Sequence, residues 1–527
     1  MSKHTIVVCD HIHEAGLQIL QNTEDVNYVY AADVNKTELL NIIKDAHVAI
    51  TRSSTDVDEK FLNAATNLKA IIRAGVGYDN VDIEGCSKRG IIAMNVPTAN
   101  TIAAVELTMA HMLSCMRKFP YAHNQLKIDR VWKREDWYGN ELYGKKLGVI
   151  GFGNIGHRVA LRAKSFEMDV VTYDPYIPST KATDLGIKYT TNFDDILACD
   201  IITIHTPKNK ETIDMIGFEQ IAKMKDGVVL INCARGGLYN EEALVENLKS
   251  GKIAMAGIDV FKKEPATDHP LLDLPNVTVT AHLGANTKES QKEISIQAAN
   301  NAIESARGIA YPNALNLPID ESKIPSFVKP YIELTQKMAF LLAQLSKSEI
   351  RSINIAAEGE ISEYLDSLQT FSTVGVLSAS SGDEVNYVNA NFIAKEKNIE
   401  LTTSEYSNHS GYQNKVSIKI TTSTGVKTIS GTVFNEDVQR IVELNGFTID
   451  IEPKGKMIVM RNNDVPGVIG EVGKILGDNK INIADFRLSR GKDGALAVIL
   501  IDEKATSDVL KKLDSLEAAI AVAYAEI

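Results

Sequence analysis

Cysteine is scarce in this sequence, and the cysteines that are present follow no pairing pattern. The 527 residues include five cysteines, an odd number, and no two of them form a C-x-x-C pair. A disulfide framework needs paired cysteines, and a structural zinc site needs closely spaced ligands. We therefore predict no disulfide framework, no metal site and a reducing compartment. The cysteines are Cys9, Cys86, Cys115, Cys199 and Cys233.

Positive charge and long apolar runs are also lacking. Lysine and arginine number 56 against 68 acidic residues, for a formal net charge of -12. This balance disfavours sequence-independent contact with nucleic acid or an anionic membrane. No run approaches the roughly 18 apolar residues of a membrane helix, and the opening MSKHTIVVCD lacks the apolar stretch of a secretory signal. We expect a cytoplasmic protein with neither a nucleic-acid nor a membrane partner.

Apolar residues are plentiful enough for several cores. With 527 residues, of which 44% are hydrophobic, the chain exceeds the about 250 to 300 residues at which single cores stop growing. Up to about residue 100, short β-rich runs alternate with helical stretches, which predicts a mostly parallel α/β sheet. A predicted long helix over 98–117 leads to a second series of six strand-like runs that begins near residue 142. Such a series, with helices between most runs, predicts a doubly wound sheet.

Beyond about residue 318 the pattern changes. Alternating strands mixed with helices predict a separate α+β unit. The segment from 456 to 527 reads strand, helix, strand, strand, helix, strand, which is a ferredoxin-like pattern. Neither of these two units carries an evident catalytic constellation.

The stretch VIGFGNIGHR, residues 149–158, carries glycines at the spacing G-x-G-x-x-G. The spacing alone is weak evidence, but here a predicted strand precedes it and a predicted helix follows. Gly151 permits the tight turn, Gly153 lets the backbone approach a pyrophosphate, and Gly156 allows the helix to pack closely on the strand. Asp174 ends the next strand, where a carboxylate can bind both ribose hydroxyls and would repel a 2′-phosphate. We therefore predict that the chain binds NAD and not NADP.

Three residues downstream are candidates for hydride-transfer chemistry. Oxidation of a secondary alcohol needs a base, a cation for the substrate's oxygens and a partner that tunes the base. His282, Arg235 and Glu264 supply these types, and each follows a strand-like run at the sheet edge where α/β folds bind ligands. Taken singly, Glu264 could instead cap a turn, and Arg235 could form a surface ion pair.

The chain resembles the D-2-hydroxyacid dehydrogenase family in a series of ordered motifs: GFGNIG, HTP, INCARGGLYNEEAL, AGIDVFKKEP and TAHLGANT. The stretches VNYVNANFIAKEKNI and NNDVPGVIG extend the likeness through an intervening domain and a C-terminal ACT domain. The resemblance implies a flavodoxin-like substrate-binding domain over 1–99 and 285–317, and a Rossmann-like NAD-binding domain over 100–284. It also implies an α+β intervening domain over 318–455, similar to allosteric substrate-binding domains, and a ferredoxin-like ACT domain over 456–527.

The resemblance also implies roles for individual residues. His282 would be the acid/base, with its protonated form favoured by Glu264, and Arg235 would hold the substrate's carboxylate and carbonyl oxygens. Val76 stands where many members have a polar residue, so its contact with the cofactor would run through the backbone. The remaining implied cofactor contacts, besides the three glycines and Asp174, are Asn154, Ile155, Thr206, Pro207, Cys233, Ala234, Asp259 and Gly284.

A phosphorylated substrate needs additional positive charge. Arg52, Arg73 and Arg134 stand in loops that resemble the family's substrate-binding positions, with Ser53 and Asn100 as further donors. Arg134 could act on a neighbouring subunit. Together with the two extra domains, these residues favour oxidation of 3-phospho-D-glycerate to 3-phosphohydroxypyruvate, which opens L-serine biosynthesis.

The ACT domain is expected to bind an effector. In the family this ligand is often L-serine, and Asn462, Asp464 and Asn482 stand at the matching positions. Asp464 could pair with the ammonium group of serine. Some relatives carry histidine or tyrosine where Asn462 stands, and the alternative role of the domain is oligomerisation alone.

Two other functions stay open at this point. One is a dehydrogenase of an unphosphorylated 2-hydroxy acid, which the arginines and the extra domains disfavour. The other is an NADH-sensing binding protein, similar to the corepressors of this family. Such proteins tend to carry a disordered tail, whereas this C-terminus has the pattern of folded domains. In every case we expect a homo-oligomer, either a dimer through the NAD-binding domain or a tetramer.

Overall fold

The structure is a computed structural model that describes residues 3–317, 324–346, 348–381, 385–405, 411–435, 437–492 and 494–527. Within these ranges the strands form four sheets. In the same ranges, no helix combines the length and the apolar character needed to cross a bilayer. The predicted domain boundary at 317/318 adjoins residues outside the described ranges.

The first sheet is parallel and has the order β2-β1-β3-β4-β5. This is the flavodoxin-like order. Its strands are β1 (His4–Val8), β2 (Val26–Tyr30), β3 (Val48–Thr51), β4 (Ala70–Arg73) and β5 (Ile92–Asn95). Its helices are α1 (Glu14–Gln21), α2 (Lys36–Ile42), α3 (Glu59–Ala64) and α4 (Ile83–Lys88). Edge strand β2 escaped prediction because only Val26 of its five residues is buried.

Helix α5 (Thr101–Arg117) leads from the first sheet to the second and confirms the predicted long helix. Its apolar and small side chains, among them Val105, Met109 and Met112, are buried in the core beside the second sheet. Helix α6 (Phe119–Lys127) and a 3-10 helix (Arg134–Trp137) follow. The chain therefore changes sheets through a helix that is itself part of the core.

The second sheet is a seven-stranded parallel sheet with the order β12-β11-β10-β9-β6-β7-β8. This is the Rossmann order with one further strand. Its strands are β6 (Lys146–Ile150), β7 (Asp169–Tyr173), β8 (Lys188–Tyr189), β9 (Ile201–Ile204), β10 (Val228–Asn232), β11 (Ile253–Ile258) and β12 (Val277–Val279). Its helices are α7 (Gly156–Ser165), α8 (Thr180–Thr183), α9 (Phe193–Leu197), α10 (Phe218–Lys223) and α11 (Glu241–Ser250). The six predicted runs are all strands, and the two-residue β8 was too short to predict.

Helix α12 (Lys288–Ala306) returns the chain to the first sheet. Its Ile294, Ala298 and Ala302 are buried in one core with Ile50 and Ile72 of that sheet. The second sheet is thus inserted between two segments that pack on the first.

The third sheet is mixed and has the order β14-β13-β15-β16-β17-β18. Its β13 pairs in parallel with β14, and the other pairs are antiparallel. The strands are β13 (Ile350–Glu358), β14 (Glu400–Glu405), β15 (Lys415–Thr422), β16 (Gly425–Phe434), β17 (Val438–Leu444) and β18 (Phe447–Ile451). The helices are α13 (Val328–Gln344), α14 (Leu365–Ser381) and α15 (Ala390–Glu396).

The fourth sheet is antiparallel, with the order β20-β21-β19-β22. Its elements are β19 (Lys456–Asn462), α16 (Val468–Asp478), β20 (Ile483–Gly491), β21 (Gly494–Ile501), α17 (Ser507–Asp514) and β22 (Ala519–Glu526). The predicted ferredoxin-like pattern is confirmed. Ile458 and Met460 pack beneath the two helices, whereas Met457 and Val459 join the core around α13.

Candidate active site

The predicted cofactor and catalytic residues follow the carboxyl ends of the parallel strands in the second sheet. Gly151 follows β6, Asp174 follows β7, Thr206 follows β9, Asp259 follows β11 and His282 follows β12. Because all these strands are parallel, their carboxyl ends meet at one edge of the sheet. Residues far apart in sequence are thereby placed around one cleft.

The glycine loop between β6 and α7 has the geometry that its spacing predicts. Gly151 has a φ of 87°, and a Cβ there would lie 2.7 Å from the carbonyl oxygen of His205. A Cβ on Gly156 would lie 1.9 Å from the carbonyl oxygen of Gly151, whereas a Cβ on Gly153 would meet no heavy atom within 4 Å. The helix start has no side-chain cap. The loop thus leaves open space above Gly153, beside backbone N–H groups able to bind a pyrophosphate.

Asp174 also shapes the glycine loop. Its carboxylate accepts hydrogen bonds from the backbone N–H groups of Phe152, at 2.8 Å, and Tyr176, at 3.0 Å. A carboxylate has further lone pairs, which remain for the ribose hydroxyls. The clamp on Phe152, which sequence reasoning missed, links the ribose position to the pyrophosphate position.

Two buried polar atoms beside the loop have no hydrogen-bond partner in the part of the chain that the structure describes. They are the Thr206 Oγ1 and the His205 Nδ1. Burial lowers the pKa of His205 to about 3, so this ring is neutral at physiological pH. Buried polar atoms are rarely left unpaired, so an unpaired hydroxyl beside the open glycine loop fits a dinucleotide.

The other predicted cofactor residues surround the same edge, and the protein already uses several of their backbone groups. The Ala234 N–H donates to Asn232 Oδ1 at 3.0 Å, and the Val76 carbonyl accepts from Asn95 Nδ2 at 2.8 Å. Cys233 is buried, which raises the pKa of its thiol and keeps it protonated. The residues of this set are Val76, Asn154, Ile155, Pro207, Cys233 and Ala234.

His282 and Glu264 form a hydrogen-bonded pair at the mouth of the cleft. The His282 Nδ1 lies 2.8 Å from Glu264 Oε2, and Glu264 Oε1 accepts from the Phe261 N–H at 2.9 Å. The two side chains are 48% and 35% exposed, respectively. Burial raises the pKa of Glu264, but the hydrogen bonds from His282 and Phe261 and the charge of Arg235 outweigh it, so the net pKa lies below the ordinary value. Glu264 is therefore an ionised partner that orients the ring and leaves Nε2 for a substrate.

Asp259 holds the loop that carries His282. It is fully buried, and its carboxylate accepts from the N–H groups of Leu283, at 2.7 Å, and Gly284, at 3.0 Å. Its backbone carbonyl accepts from the His282 N–H at 2.8 Å. Sequence reasoning placed Asp259 and Gly284 only as cofactor contacts, and the structure adds this loop-holding arrangement.

Arg235 follows β10 of the second sheet and lies against residues of a loop of the first sheet. A Cβ on Gly77 would lie 2.2 Å from the Arg235 guanidinium, so only glycine fits there without displacing that side chain. Arg235 Nε lies 3.3 Å from Asp79 Oδ2, and one of its terminal nitrogens donates to the Ala234 carbonyl at 2.6 Å. Sequence reasoning missed Gly77 and Asp79, although both stand in RAGVGYDN, the same short motif as Val76.

Arg73 and Arg52 extend this positive charge. Burial, and then the charges of Arg235 and Arg52, lower the pKa of Arg73 to about 10, and its Nε is buried without a hydrogen-bond partner among the described residues. Burial also lowers the pKa of Arg52, against the opposing charge of Asp10. Arg73 thus lies within the electrostatic range of both other guanidinium groups, with Asp79 and Asp10 as the acids that oppose its shift. The cluster is suited to an anion.

The remaining substrate candidates are placed differently from one another. Ser53 is exposed next to Arg52, and Asn100 stands at the start of α5 with a buried Oδ1 that has no partner among the described residues. Arg134 lies elsewhere, because Trp137 of its 3-10 helix borders a cavity with residues that precede β6, β9, β10 and β12. That is the amino end of the second sheet, so one chain does not bring Arg134 to His282.

The structure divides the predicted effector residues between the two ends of the fourth sheet. Asn462, with Asp464 just after it, pairs with Ala495 at one end, whereas Asn482 precedes Ile483, which pairs with Ile501 at the other end. One chain therefore does not bring Asn482 to Asn462. Asn462 is buried at the end of β19, with an Nδ2 that has no hydrogen-bond partner in the described part of the chain. Asp464 Oδ2 lies 3.2 Å from Arg490 Nε, and Asn482 Nδ2 donates to Asp502 Oδ2 at 2.6 Å. An unpaired amide N–H fits a ligand with a carboxylate or hydroxyl acceptor.

Comparisons with known proteins match three consecutive parts of the chain. Residues 109–284 match the NAD binding domain of D-isomer specific 2-hydroxyacid dehydrogenases, residues 327–445 match the D-3-phosphoglycerate dehydrogenase intervening domain, and residues 456–518 match the ACT domain. These matches follow the order of the second, third and fourth sheets.

Similar proteins also span the whole length. The D-3-phosphoglycerate dehydrogenase of Bacillus subtilis is 38% identical over 521 residues, which cover 98% of both chains. That of Methanocaldococcus jannaschii is 39% identical over 515 residues, covering 96% of this chain and 97% of the relative.

Solved structures resemble a part of the chain. D-lactate dehydrogenase from Aquifex aeolicus, complexed with NAD and lactic acid, is 28% identical and covers 59% of this chain and 99% of its own, with a TM-score of 0.53. The TT0316 protein from Thermus thermophilus is 30% identical, with a TM-score of 0.54. Full-length identity and domain order together place the chain: it belongs to the D-3-phosphoglycerate dehydrogenase family, within the D-isomer specific 2-hydroxyacid dehydrogenases.

Proposed function

We propose that this protein oxidises 3-phospho-D-glycerate to 3-phosphohydroxypyruvate with NAD, the first step of L-serine biosynthesis. The observation that carries the proposal is the cluster of Arg235, Arg73 and Arg52 beside the His282–Glu264 pair. A 2-hydroxy acid with a phosphate group needs positive charge for both its carboxylate and its phosphate. The family membership supports the same substrate.

His282 is the acid/base of the proposed reaction. In the direction of oxidation its Nε2 takes the proton of the substrate's hydroxyl, while Glu264 holds Nδ1 and stabilises the imidazolium that forms. NAD, which the glycine loop and Asp174 would hold, would supply the acceptor for the hydride of the substrate's C2. Arg235 holds the carboxylate and the developing carbonyl oxygen, and the planar guanidinium fork is suited to both.

Arg73, Arg52, Ser53 and Asn100 are the proposed contacts to the rest of the substrate. Arg73 carries the stronger support, because its buried Nε has no hydrogen-bond partner among the described residues and faces the same cleft loops as Arg235. Arg52 lies beside it, with its guanidinium 3.1 Å from the His11 carbonyl.

The cofactor contacts are proposed at the edge of the second sheet. The glycine loop holds the pyrophosphate, Asp174 the adenosine ribose, and Thr206 supplies a hydroxyl in the same region. The free lone pairs of Asp174 favour NAD, since a 2′-phosphate would meet a carboxylate there.

The assay that tests the function measures NADH consumption by the purified protein with 3-phosphohydroxypyruvate. We expect turnover with this substrate and little with pyruvate or glyoxylate. A preference for either unphosphorylated acid would contradict the substrate. Tight NADH binding without turnover on any 2-oxo acid would indicate a binding protein and not an enzyme.

We infer that L-serine binds the ACT domain and inhibits the reaction. The buried Asn462 Nδ2, which has no partner among the described residues, supports an acceptor from the ligand, and Asp464 can exchange its exposed partner Arg490 for an ammonium group. We expect millimolar L-serine to suppress NADH consumption in the wild type and not in Asp464→Ala. Turnover that is indifferent to serine would leave the domain a role in assembly alone.

Replacing Glu264 by glutamine is expected to move the pH profile of the reaction. Burial raises the pKa of Glu264, and the hydrogen bond from His282 helps to bring it below the ordinary value. The neutral amide of glutamine removes the charge in that interaction, so the variant no longer stabilises an imidazolium at position 282. In the direction of oxidation, which needs the neutral ring, the rise of kcat/KM with pH should move to lower pH. In the direction of reduction, which needs the imidazolium, activity should be lost at lower pH than in the wild type. An unchanged profile in both directions would contradict the role of Glu264.

Assembly as a homo-oligomer is part of the proposal. The segment 119–143 exposes large apolar side chains, among them Ile128 at 69%, Trp132 at 76% and Tyr138 at 78%, and such a surface is typical of a subunit interface. Arg134 lies in this segment, which supports its action in a neighbouring subunit's cleft. The two C-terminal units could add a second interface and make a tetramer.

A cytoplasmic location is also proposed. All five cysteines lie in described ranges and are free and buried thiols. Unpaired cysteines are typical of proteins in a reducing compartment.

A further inference from the structure

A series of hydrogen-bonded, buried polar side chains runs from α5 to the loop that carries His282. The reaction described above gives no role to the members of this series that lie between α5 and Asp259. His111 of α5 is 3% exposed. Its Nε2 lies 2.8 Å from Thr280 Oγ1, and its Nδ1 lies 3.1 Å from Thr278 Oγ1. A Cβ on Gly257 would lie 2.9 Å from the His111 Cβ. The absence of a side chain at Gly257 thus makes room for the ring on top of β11.

The hydrogen bonds of this series all run in one direction, from donor to acceptor, toward Asp259. Thr280 Oγ1 donates to Asp259 Oδ1 at 2.6 Å, so its oxygen is left to accept from the His111 Nε2–H. Burial lowers the pKa of His111, and a neutral imidazole has one donor and one acceptor. Its Nδ1 therefore accepts from the Thr278 hydroxyl, and the Cys115 thiol, 3.3 Å away, donates to Thr278 Oγ1. In this arrangement each hydroxyl and both ring nitrogens are satisfied.

The series of hydrogen bonds ends at the Asp259 carboxylate, which holds the loop that carries His282. Asp259 receives the Thr280 hydroxyl and the backbone N–H groups of Leu283 and Gly284. Next to them, His282 has a φ of 54°, in the left-handed region that costs free energy for a residue other than glycine. Such a conformation persists only where the surroundings hold it. Asp259 provides this hold in two ways: its carboxylate accepts from the amides of Leu283 and Gly284, and its backbone carbonyl accepts from the His282 N–H.

We propose that His111 is a positioning residue for His282, acting through Thr280 and Asp259. The inference deepens the proposed function and rests on it. His111 fixes the orientation of the Thr280 hydroxyl, the hydroxyl fixes the Asp259 carboxylate, and the carboxylate fixes the backbone that aims the His282 ring at the substrate. Among the described residues, the ionisable groups around His111 are Asp259, Cys115 and, beside these two, Cys233, and those around His282 are Glu264 and Arg235.

A merely structural histidine would fill space between α5 and the sheet. The two roles predict different behaviour of chosen variants. His111→Leu fills the same space with an apolar side chain but leaves the hydroxyls of Thr278 and Thr280 without their partner in the ring. His111→Gln keeps a donor that can reach Thr280. Met112→Ala, at a fully buried neighbouring position of α5, removes packing without touching the hydrogen-bonded series.

The experiment measures kcat, KM and the pH profile of NADH consumption with 3-phosphohydroxypyruvate in these variants. Misplacing a catalytic group by about 1 Å can cost about 100-fold in rate, so we expect His111→Leu to lower kcat by about 10- to 100-fold. KM for the substrate should change little because the arginine cluster is intact, and the pH profile should move as in Glu264→Gln. His111→Gln should restore most of kcat, and Met112→Ala should lower Tm without moving the pH profile.

Thr280→Val tests the path. This substitution breaks the same hydrogen-bonded connection between His111 and Asp259. The kcat of the double variant His111→Leu/Thr280→Val should therefore be no lower than that of Thr280→Val alone. Losses of kcat that multiply, or a His111→Gln variant as slow as His111→Leu, would overturn the proposal. So would a His111→Leu variant with wild-type kcat and pH profile.

A readout without turnover separates this inference from the proposed function. Hydrogen exchange of the amides of Leu283 and Gly284 in the protein without substrate should be faster in His111→Leu and Thr280→Val than in the wild type and in Met112→Ala. Unchanged exchange in both variants would contradict the path. A wild-type protein that has no turnover but shows these exchange differences would contradict the function alone.

Discussion

Replacing His282 by alanine is expected to lower kcat with 3-phosphohydroxypyruvate by about 1,000-fold, within the range that general acid–base catalysis contributes. The ring is 48% exposed, its Nδ1 is held by Glu264, and its Nε2 has no protein partner among the described residues. The measurement is steady-state NADH consumption together with a fluorescence titration of NADH.

NADH affinity should stay near the wild-type value in this variant, because the glycine loop and Asp174 are untouched. Since position 282 has a φ of 54°, His282→Asn is the companion variant, as asparagine tolerates this backbone conformation better than most residues. It should bind NADH and be as inactive as His282→Ala. Lys419→Ala, at an exposed position of β15, is the control and should behave as the wild type. Either His282 variant retaining more than about a tenth of wild-type kcat would rule out this residue as the acid/base.

Replacing Arg235 by alanine is expected to lower kcat/KM for 3-phosphohydroxypyruvate by about 1,000-fold, the range found when one partner of a desolvated charge pair is truncated. The guanidinium is 25% exposed and is directed by Asp79 and by the Ala234 carbonyl. Its loss removes the planar fork for the carboxylate and leaves Asp79 in the cleft without its cation. Substrate binding and transition-state stabilisation should therefore both suffer.

Arg235→Lys distinguishes the fork from the charge. Lysine restores a positive charge but not the bidentate geometry, so we expect recovery of a minor part of kcat/KM. Arg351→Ala, an exposed position of the third sheet, is the matched control and should leave both constants unchanged. If Arg235→Lys were as active as the wild type, charge alone would suffice and the proposed two-oxygen contact would be wrong.

The cofactor half of the cleft was accessible to sequence reasoning because its signals are local. Three glycines within six positions, a strand before them and a helix after them specify one backbone geometry, and the structure has it, with Gly151 in the left-handed region and Gly156 against the Gly151 carbonyl. The alternation of strands and helices predicted both parallel sheets, and parallel strands bring their carboxyl ends to one edge whatever the loop lengths. That geometry is why Arg235 and His282 could be placed together from order alone.

Residues that act through other residues were less accessible. Asp79, which pairs with Arg235, and Asp10, which faces Arg52, belong to loops of the first sheet, and no spacing in the sequence links them to the second. Edge strand β2 was missed because an edge strand with one buried residue carries little periodicity. Arg134 stands in a motif that resembles a substrate contact, yet its 3-10 helix packs at the opposite end of the sheet from His282.

The family, the glycine loop and the acid/base candidate could be predicted from short-range pattern, and the succession of sheets from strand order. The groups that hold these residues in place become visible only in the fold: Asp174 on the glycine loop, Asp79 on Arg235, and the series from His111 through Thr280 and Asp259 to His282. This last series joins α5, the end of β11 and the loop after β12. These elements are too far apart along the chain for a local sequence pattern to link them. Their contacts exist because close packing of helix on sheet leaves buried polar groups that must find partners among whatever side chains the fold brings near.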